Sequence, residues 1–438
     1  MRENTKQSQI NSQRGSFMKN HFKLILVLGL FTFMSQSIFA TDGYFRHGYG
    51  IKYSALAGAG SALSLSSIGA ATNPASLATL GNRFDFDLAI FSPARQFTVT
   101  GNPSGFPGTF GMMPGTVESE SNYFPMPTLG ASYQLNNDMV IGLVLYGNGG
   151  MNTDYPKQIF GDPTSPGTGV NLEQLFTGLT YAVKVGENQS LGVTGLFGFQ
   201  RFSAKGLVAF SMFSSDAKSL TGNRVSTSTG FGVRLGYQGT FAKHLMVGAS
   251  YQTKMSMSEF DGYKGLFAEK GDFDVPANWV VGVATDVVKD FTFALDVQQI
   301  LYSGVKSISN PMMPNMMIAS LGADNGAGFG WKDMTIVKFG VMYTGVQDWT
   351  FMGGFSYGKQ PIGETEVMFN ILAPGVIESH ITFGVSKMVT KTNELNLAFM
   401  YALPKEVTGA NPLEAPGRQT IGLKMSQWQL EVGYAFSF

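Results

Sequence analysis

Few residues in this chain have the type and spacing needed for chemistry. Beyond residue 40 the histidines are His47, His244 and His380, and the chain contains no cysteine. That excludes disulfides and thiolate metal sites. A hydrolytic nucleophile needs a base, and the base needs a partner to orient it. His244 falls at a tight turn, and His380 starts a strand with no partner legible nearby. No phosphate loop, dinucleotide fingerprint or metal-ligand spacing is present. The expectation is therefore no enzyme, no catalytic residue, no metal and no cofactor. A formal net charge of zero gives no reason to expect nucleic acid.

The residues that stand out are instead apolar and lie in loop-like stretches. Leu207 to Phe213, Pro311 to Ile318 and Met368 to Leu372 are unusually apolar for surface segments. Exposed apolar patches mark interaction sites, and flexible methionines suit varied apolar ligands. Phe210 and Phe213 are candidate ligand contacts on this basis. The alternative is a lid whose loops pack only on one another. A ligand carboxylate would also need a cation or several donors, because a buried charge must be paired. Arg234 and Lys338, both assigned to an inward strand face, are candidates. An aromatic hydrocarbon would need neither, so the two substrate classes stay open.

These loops alternate with short turns all along residues 83–438. The short connections are Asn136 to Asp138, Gly186 to Gln189, Gly239 to Lys243, Lys289-Asp290, Thr344 to Asp348 and Thr390 to Asn393. Between them fall 101–127, 147–171, 203–227, 257–276, 302–333, 358–378 and 404–419. Short turns at one rim and long loops at the other are the layout of bacterial outer-membrane barrels. The intervening segments alternate with period two. Trp428, Leu430, Val432, Tyr434, Phe436 and Phe438 share one face, with Gln429, Glu431, Gly433 and Ser437 on the other. Such a strand ending on Phe resembles the terminal strand that the outer-membrane assembly machinery recognises.

About fifteen such runs can be counted. Phe84 to Phe91 and Gln96 to Thr100 are separated only by Ser92-Pro93-Ala94-Arg95. Proline marks an edge or bulge, so the two are merged into one bent strand. The result is an all-β fold, a multi-pass transmembrane antiparallel β-barrel of about fourteen strands. The inner face is expected to carry Asp85, Asp87, Lys184, Arg234, Lys254, Asp296, Lys338, Glu394 and Glu431. Lipid-facing Lys or Arg near the midplane would cost about 2–4 kcal/mol.

Residues 1–40 read as a leader and signal peptide. Lys19, His21 and Lys23 precede the apolar run Leu24 to Met34 and the end Ser35 to Ala40; Met18 is a possible true start. Export places the barrel in the outer membrane of a Gram-negative cell, in contact with its lipid and lipopolysaccharide. Residues 41–82 are rich in Gly and Ala and do not read as strands. Small residues allow backbone to pack against backbone, as a plug inside the barrel must, and Asn73-Pro74 suits a tight turn.

The chain resembles the FadL/TodX family of outer-membrane transporters for long-chain fatty acids and aromatic hydrocarbons. The resemblance lies in Asp42-Gly43-Tyr44-Phe45, Ala57-Gly58-Ala59-Gly60-Ser61-Ala62 and Asn73-Pro74-Ala75-Ser76-Leu77. It resumes at Trp331-Lys332-Asp333 and Gln360-Pro361-Ile362. It implies an N-terminal hatch, bearing Asn73, Pro74 and Ala75, within a fourteen-stranded barrel. It also implies passive transport of a hydrophobic small molecule, most often a long-chain fatty acid, with hatch movement and lateral exit beside a kinked third strand. Here that strand would be Met139 to Tyr146. The resemblance further points to Tyr44 as a ligand contact and to Lys332 as a partner for a carboxylate. A general porin, an adhesion barrel and an outer-membrane enzyme are the rival readings.

Overall fold

The computed structural model describes residues 42–438. The leader expected over 1–40, with its possible start at Met18, lies outside the described residues. One sheet of sixteen strands accounts for the wall. Two of these are short: Gly115–Glu118 and Ser256–Met257. The other fourteen form the ring. Its first half is β1 Arg83–Thr100, β2 Phe124–Gln134, β3 Met139–Tyr155, β4 Thr168–Lys184, β5 Gln189–Lys205, β6 Ser226–Ala242 and β7 Leu245–Gln252. Its second half is β8 Asn278–Thr285, β9 Phe291–Ile300, β10 Met334–Val346, β11 Trp349–Gly358, β12 Ser379–Met388, β13 Asn393–Ala410 and β14 Thr420–Ser437. Each pairs antiparallel with the next, and β14 pairs back onto β1 from Arg83↔Ser437 to Thr100↔Thr420. The sheet closes and leaves no outer edge, as a wall in lipid requires.

Period-two patterning decides the faces. Along β13, Leu395, Leu397, Phe399 and Tyr401 are exposed while Glu394, Asn396, Ala398 and Met400 are buried. Asp85, Asp87, Arg234, Asp296, Lys338, Glu394 and Glu431 are buried on the inner face as expected. Lys184 and Lys254 are not there. Lys184 lies at the short-turn rim, donating to the Asn137 carbonyl at 2.9 Å. Lys254 follows the end of β7 and pairs with Asp274 at 2.6 Å. In both cases the alternation was extended to or past the end of a strand, where the pleat no longer fixes direction.

The stretch Ser92 to Arg95 keeps an unbroken register with β14, so β1 is one strand, as expected from the sequence. Pairing of β1 with β2 stops at Phe91↔Phe124 and a partner returns only at Gln96↔Glu118. Pro93 thus falls where that side has no ladder, and a missing donor costs least there. β3 does not stop at its glycines but runs on to Tyr155, through an irregularity in its pairing with β4 between Gly147 and Gly149. β13 passes Pro404 in the same way, with a register shift between Ala402 and Lys405.

Residues 42–82 contain only short helical turns, Ile51–Ala55, Ser67–Ala71 and Pro74–Thr79. Nearly all of their side chains are buried. They meet the wall at glycines on strand after strand. A Cβ at Gly192 of β5 would sit 2.4 Å from the Pro74 carbonyl carbon, and one at Gly248 of β7 2.1 Å from the Ser61 oxygen. At Gly354 of β11 and Gly384 of β12 the distances are 2.4 Å to Leu56 and 2.4 Å to Ala55. Gly130 of β2 and Gly236 of β6 face Ile68 and Asn73 as closely. Small residues on both sides therefore permit backbone-to-wall packing that no side chain would fit.

Candidate functional site

The lower lumen is built from buried charge. Asp296 accepts from the Gly60 and Ser61 amides at 3.1 and 2.8 Å, and Asp87 accepts from Ile51 at 2.8 Å. Asp85 takes the Ser67 amide at 2.8 Å and its hydroxyl at 2.6 Å. Arg46 pairs with Glu431 at 3.1 Å and Lys52 with Glu394 at 2.6 Å. Each wall charge meets a donor or opposite charge, as burial demands.

Two cations singled out for a carboxylate belong to this network. Arg234 donates to the Thr72 carbonyl at 3.1 Å and to the Gln252 side chain. Lys338 donates to the His47 carbonyl at 2.7 Å and pairs with Asp42 at 3.3 Å. Lys332 is exposed, and its amide bonds the Pro361 carbonyl at 3.0 Å. Asn73 is the knot of its motif. Its amide group donates to the Ser61 and Tyr237 carbonyls, both at 2.8 Å, and its oxygen accepts from Ala75 at 3.1 Å. Pro74 follows at the first helical position, where its missing N–H is harmless. His380 stacks on His47 with ring centroids 5.6 Å apart and lies 3.0 Å from the Ser356 hydroxyl. His244 pairs with Asp286 at 2.7 Å on an exposed rim.

Above this network the wall has a seam. Pairing of β2 with β3 ends at Leu129↔Leu145, whereas β3 stays on β4 as far as Tyr155↔Thr168. The remainder of β2, Phe124 to Thr128, pairs only with β1. Gly147 faces Leu175 and Gly149 faces Gln174, so Asn148 is the extra residue of a bulge. Bulges bend a strand and end its pairing on one side. The N-terminal segment is attached at this point. Phe45 bridges to Gly149, the Arg46 amide donates to the Asn148 carbonyl at 3.1 Å, and Tyr49 donates to the Asn148 side chain at 2.7 Å. From β1, the Arg95 guanidinium donates to the carbonyls of Asn152 on β3 and Ser121 before β2, over the Phe124 ring.

Two cavities lie between the seam and the long loops. The inner one is lined by Gly43, Tyr44, Arg95, Asn152, Trp331 and Met425 among others. The outer one is lined chiefly by Phe202, Phe210, Phe267, Leu321, Phe329 and Phe369. One partition separates them. Phe369 and Leu372 face the outer cavity, and Ala373 to Gly375 face the inner. The partition is held by Tyr155 donating to the Ile371 carbonyl at 2.8 Å and Thr153 to Leu372 at 2.9 Å, both from the detached half of β3. Trp331 donates to Asn370 at 2.6 Å.

Of the aromatic candidates, Tyr44 lines the inner cavity within an aromatic cluster, its ring 6.0 Å from Trp331 and 5.6 Å from Tyr302. Phe210 lines the outer cavity and packs on Phe160 and Phe369 at 5.1 and 5.5 Å. Phe213 packs, partly buried, on the same apolar cluster.

The chain matches the family described as outer membrane protein transport protein (OMPP1/FadL/TodX) over residues 47–438. The chain belongs to this family. Its members are outer-membrane transporters of hydrophobic compounds, built as transport channels on a transmembrane β-barrel. Solved structures agree on the fold. The toluene transporter TodX of Pseudomonas putida is 18% identical, with 90% of this chain and 99% of that chain covered and a TM-score of 0.64. A FadL homologue of Pseudomonas aeruginosa is 15% identical, with 90% and 100% covered and a TM-score of 0.67. The toluene transporter TbuX of Ralstonia pickettii is 18% identical, with 90% and 99% covered and a TM-score of 0.62. No curated protein sequence matches the chain.

Two features of this FadL/TodX-family barrel escaped the sequence reading. Asn148 was hidden among the glycines Gly147, Gly149 and Gly150. Arg95 sat in the interval read as a bend. It shares its face with Asp85 and Asp87 at even spacing, and that parity was the available signal.

Proposed function

We propose that this protein is a passive outer-membrane channel for small hydrophobic molecules, with long-chain fatty acids as the leading substrate class. The observation that carries this reading is the pair of cavities meeting at one partition beside the seam. A ligand is captured from outside or from the lipopolysaccharide layer into the outer cavity. It then passes residues 369–375 into the inner cavity and leaves sideways between β2 and the upper half of β3. Such a route keeps the solute out of water, where each exposed CH₂ costs about 0.8 kcal/mol. Residues 41–82 act as the hatch of a barrel spanning 83–438. Tyr44, Phe210 and Phe213 contact the ligand.

In this reading the leader exports the chain and the assembly machinery inserts it into a Gram-negative outer membrane. A second reading, an aromatic-hydrocarbon channel, is favoured by the fold likeness to two toluene transporters. The test is saturable binding and uptake of a labelled long-chain fatty acid and of toluene. The intact protein is compared with a variant lacking residues 42–82. Binding by the intact barrel, with uptake altered by the deletion, supports the channel and ranks the substrates. Binding of neither, with ion conductance through the intact protein, overturns it in favour of a porin.

A further inference from the structure

Among the described residues that line the two cavities, Arg95 is the one cation. Its position is as telling as its charge. It lies on β1, yet its terminal nitrogens reach carbonyls on both sides of the seam: Asn152 in the detached half of β3, and Ser121 in the chain that leads into β2. It lines the inner cavity together with Tyr44 and Met425. Arg234 and Lys338, by contrast, are spent on the main chain of the N-terminal segment.

We propose that Arg95 receives the anionic head of an amphiphilic ligand and that this exchange loosens the seam. The inference rests on the proposed function and narrows it to ligands with a carboxylate head and an apolar tail. A planar guanidinium matches a carboxylate through two parallel bonds. Charge-assisted bonds of this kind are about twice as strong as those between neutral groups. An arriving carboxylate therefore outcompetes the carbonyls of Asn152 and Ser121. The donors that had spanned the seam then turn to the ligand. The tail meanwhile lies among Tyr44, Trp331 and Met425. Because Thr153 and Tyr155 also hold the partition, the same exchange frees the wall between the cavities. Head-group capture and passage are thereby coupled through one side chain.

The experiment uses the full-length folded protein in detergent and measures binding of oleate and of oleyl alcohol, two ligands with the same tail. Heat-modifiable migration verifies folding of each variant. The intact protein should prefer oleate. Arg95→Gln should weaken oleate by roughly ten- to a hundredfold while leaving oleyl alcohol within a factor of about two. Arg95→Lys keeps the charge but loses the fork, and should retain only part of the preference. That variant decides the matter if Arg95→Gln does not fold. Equal losses for both ligands, or no preference in the intact protein, would overturn the inference. Binding of oleyl alcohol without oleate would overturn it and leave the hydrophobic channel standing. Binding of neither would overturn both.

Discussion

The lower and upper halves of this lumen solve opposite problems. Below, charged wall residues meet charged or amide groups of the N-terminal segment, and glycines let backbone touch the wall. Above, the loops bury aromatic side chains around two cavities, and the ladder between β2 and β3 is interrupted. A buried ion pair is specific in geometry, and removing one partner is costly. An apolar cavity is permissive about shape and orientation. The contrast teaches that closure and capture are assigned to different chemistry, and that Asn148 and Arg95 lie where the two meet.

The largest effect should come from forcing side chains into the glycine girdle. The pair Gly192→Val and Gly354→Val puts carbon where the main chain of Pro74 and Leu56 now lies. Planar-bilayer recordings should show steady conductance from the variant where the parent shows none, while heat-modifiable migration reports an intact barrel. Unchanged conductance would mean that the lower half does not depend on close packing.

Next in size is Arg46→Met. It strands Glu431, buried to 1% exposure, opposite an apolar group. Losing one partner of a buried pair costs about 3–5 kcal/mol. The N-terminal segment should become accessible to protease at denaturant concentrations the parent withstands. The corresponding change above is Phe210→Ala. It removes an apolar wall from the outer cavity and should weaken ligand binding by roughly 1.5–3 kcal/mol, with the seating of residues 42–82 unaffected. Equilibrium binding together with the same protease assay separates the two halves.

The smallest expected effect is a pH response of the outer loops. Burial, followed by repulsion from the Asp274 carboxylate, pushes Asp272 up to about 7. Asp274 is paired with Lys254 at 2.6 Å, and the nearby Glu269 with Lys306 at 2.9 Å. A carboxyl raised above its unfolded value holds a proton that the unfolded chain has already lost. Its contribution to loop order is therefore present at low pH and falls as pH rises from about 4 to about 7. Ser307, which lines the outer cavity, bonds the Asp272 carbonyl. Hydrogen-exchange protection factors in residues 268–274, corrected for the intrinsic rate at each pH, should be higher at pH 5 than at pH 8. Asp272→Asn should flatten that difference.

The same division separates what was legible in the sequence from what was not. The wall was legible because lipid outside and polar groups inside impose alternation, as along Leu395 to Tyr401. Counting the alternating runs and merging two of them across Pro93 gave about fourteen strands, and the sorting of short and long connections gave the two rims. Close backbone packing of residues 42–82 was legible through their own small residues. Their counterpart, the ring of glycines on the strands, was not, because each glycine alone is an unremarkable break in alternation. Arg234 and Lys338 were placed correctly on the inner face. Their partners, separated by more than a hundred residues in sequence, depended on closure of the ring. The seam was the least legible feature. A bulge of one residue at Asn148 leaves no periodic trace, and the loss of β2 pairing is a property of two strands together.

The central claim is that a hydrophobic ligand leaves through that seam, and deleting Asn148 tests it most directly. The deletion removes the extra residue of the bulge and allows β3 to pair onward with β2. Asn148→Ala, which keeps the bulge but removes the side-chain bonds to Tyr49 and Gln174, serves as the control. Uptake of a labelled long-chain fatty acid should be abolished by the deletion, with binding at the outer cavity retained and the Ala variant still transporting. Uptake at the parental rate through a folded deletion variant would contradict lateral exit at this position.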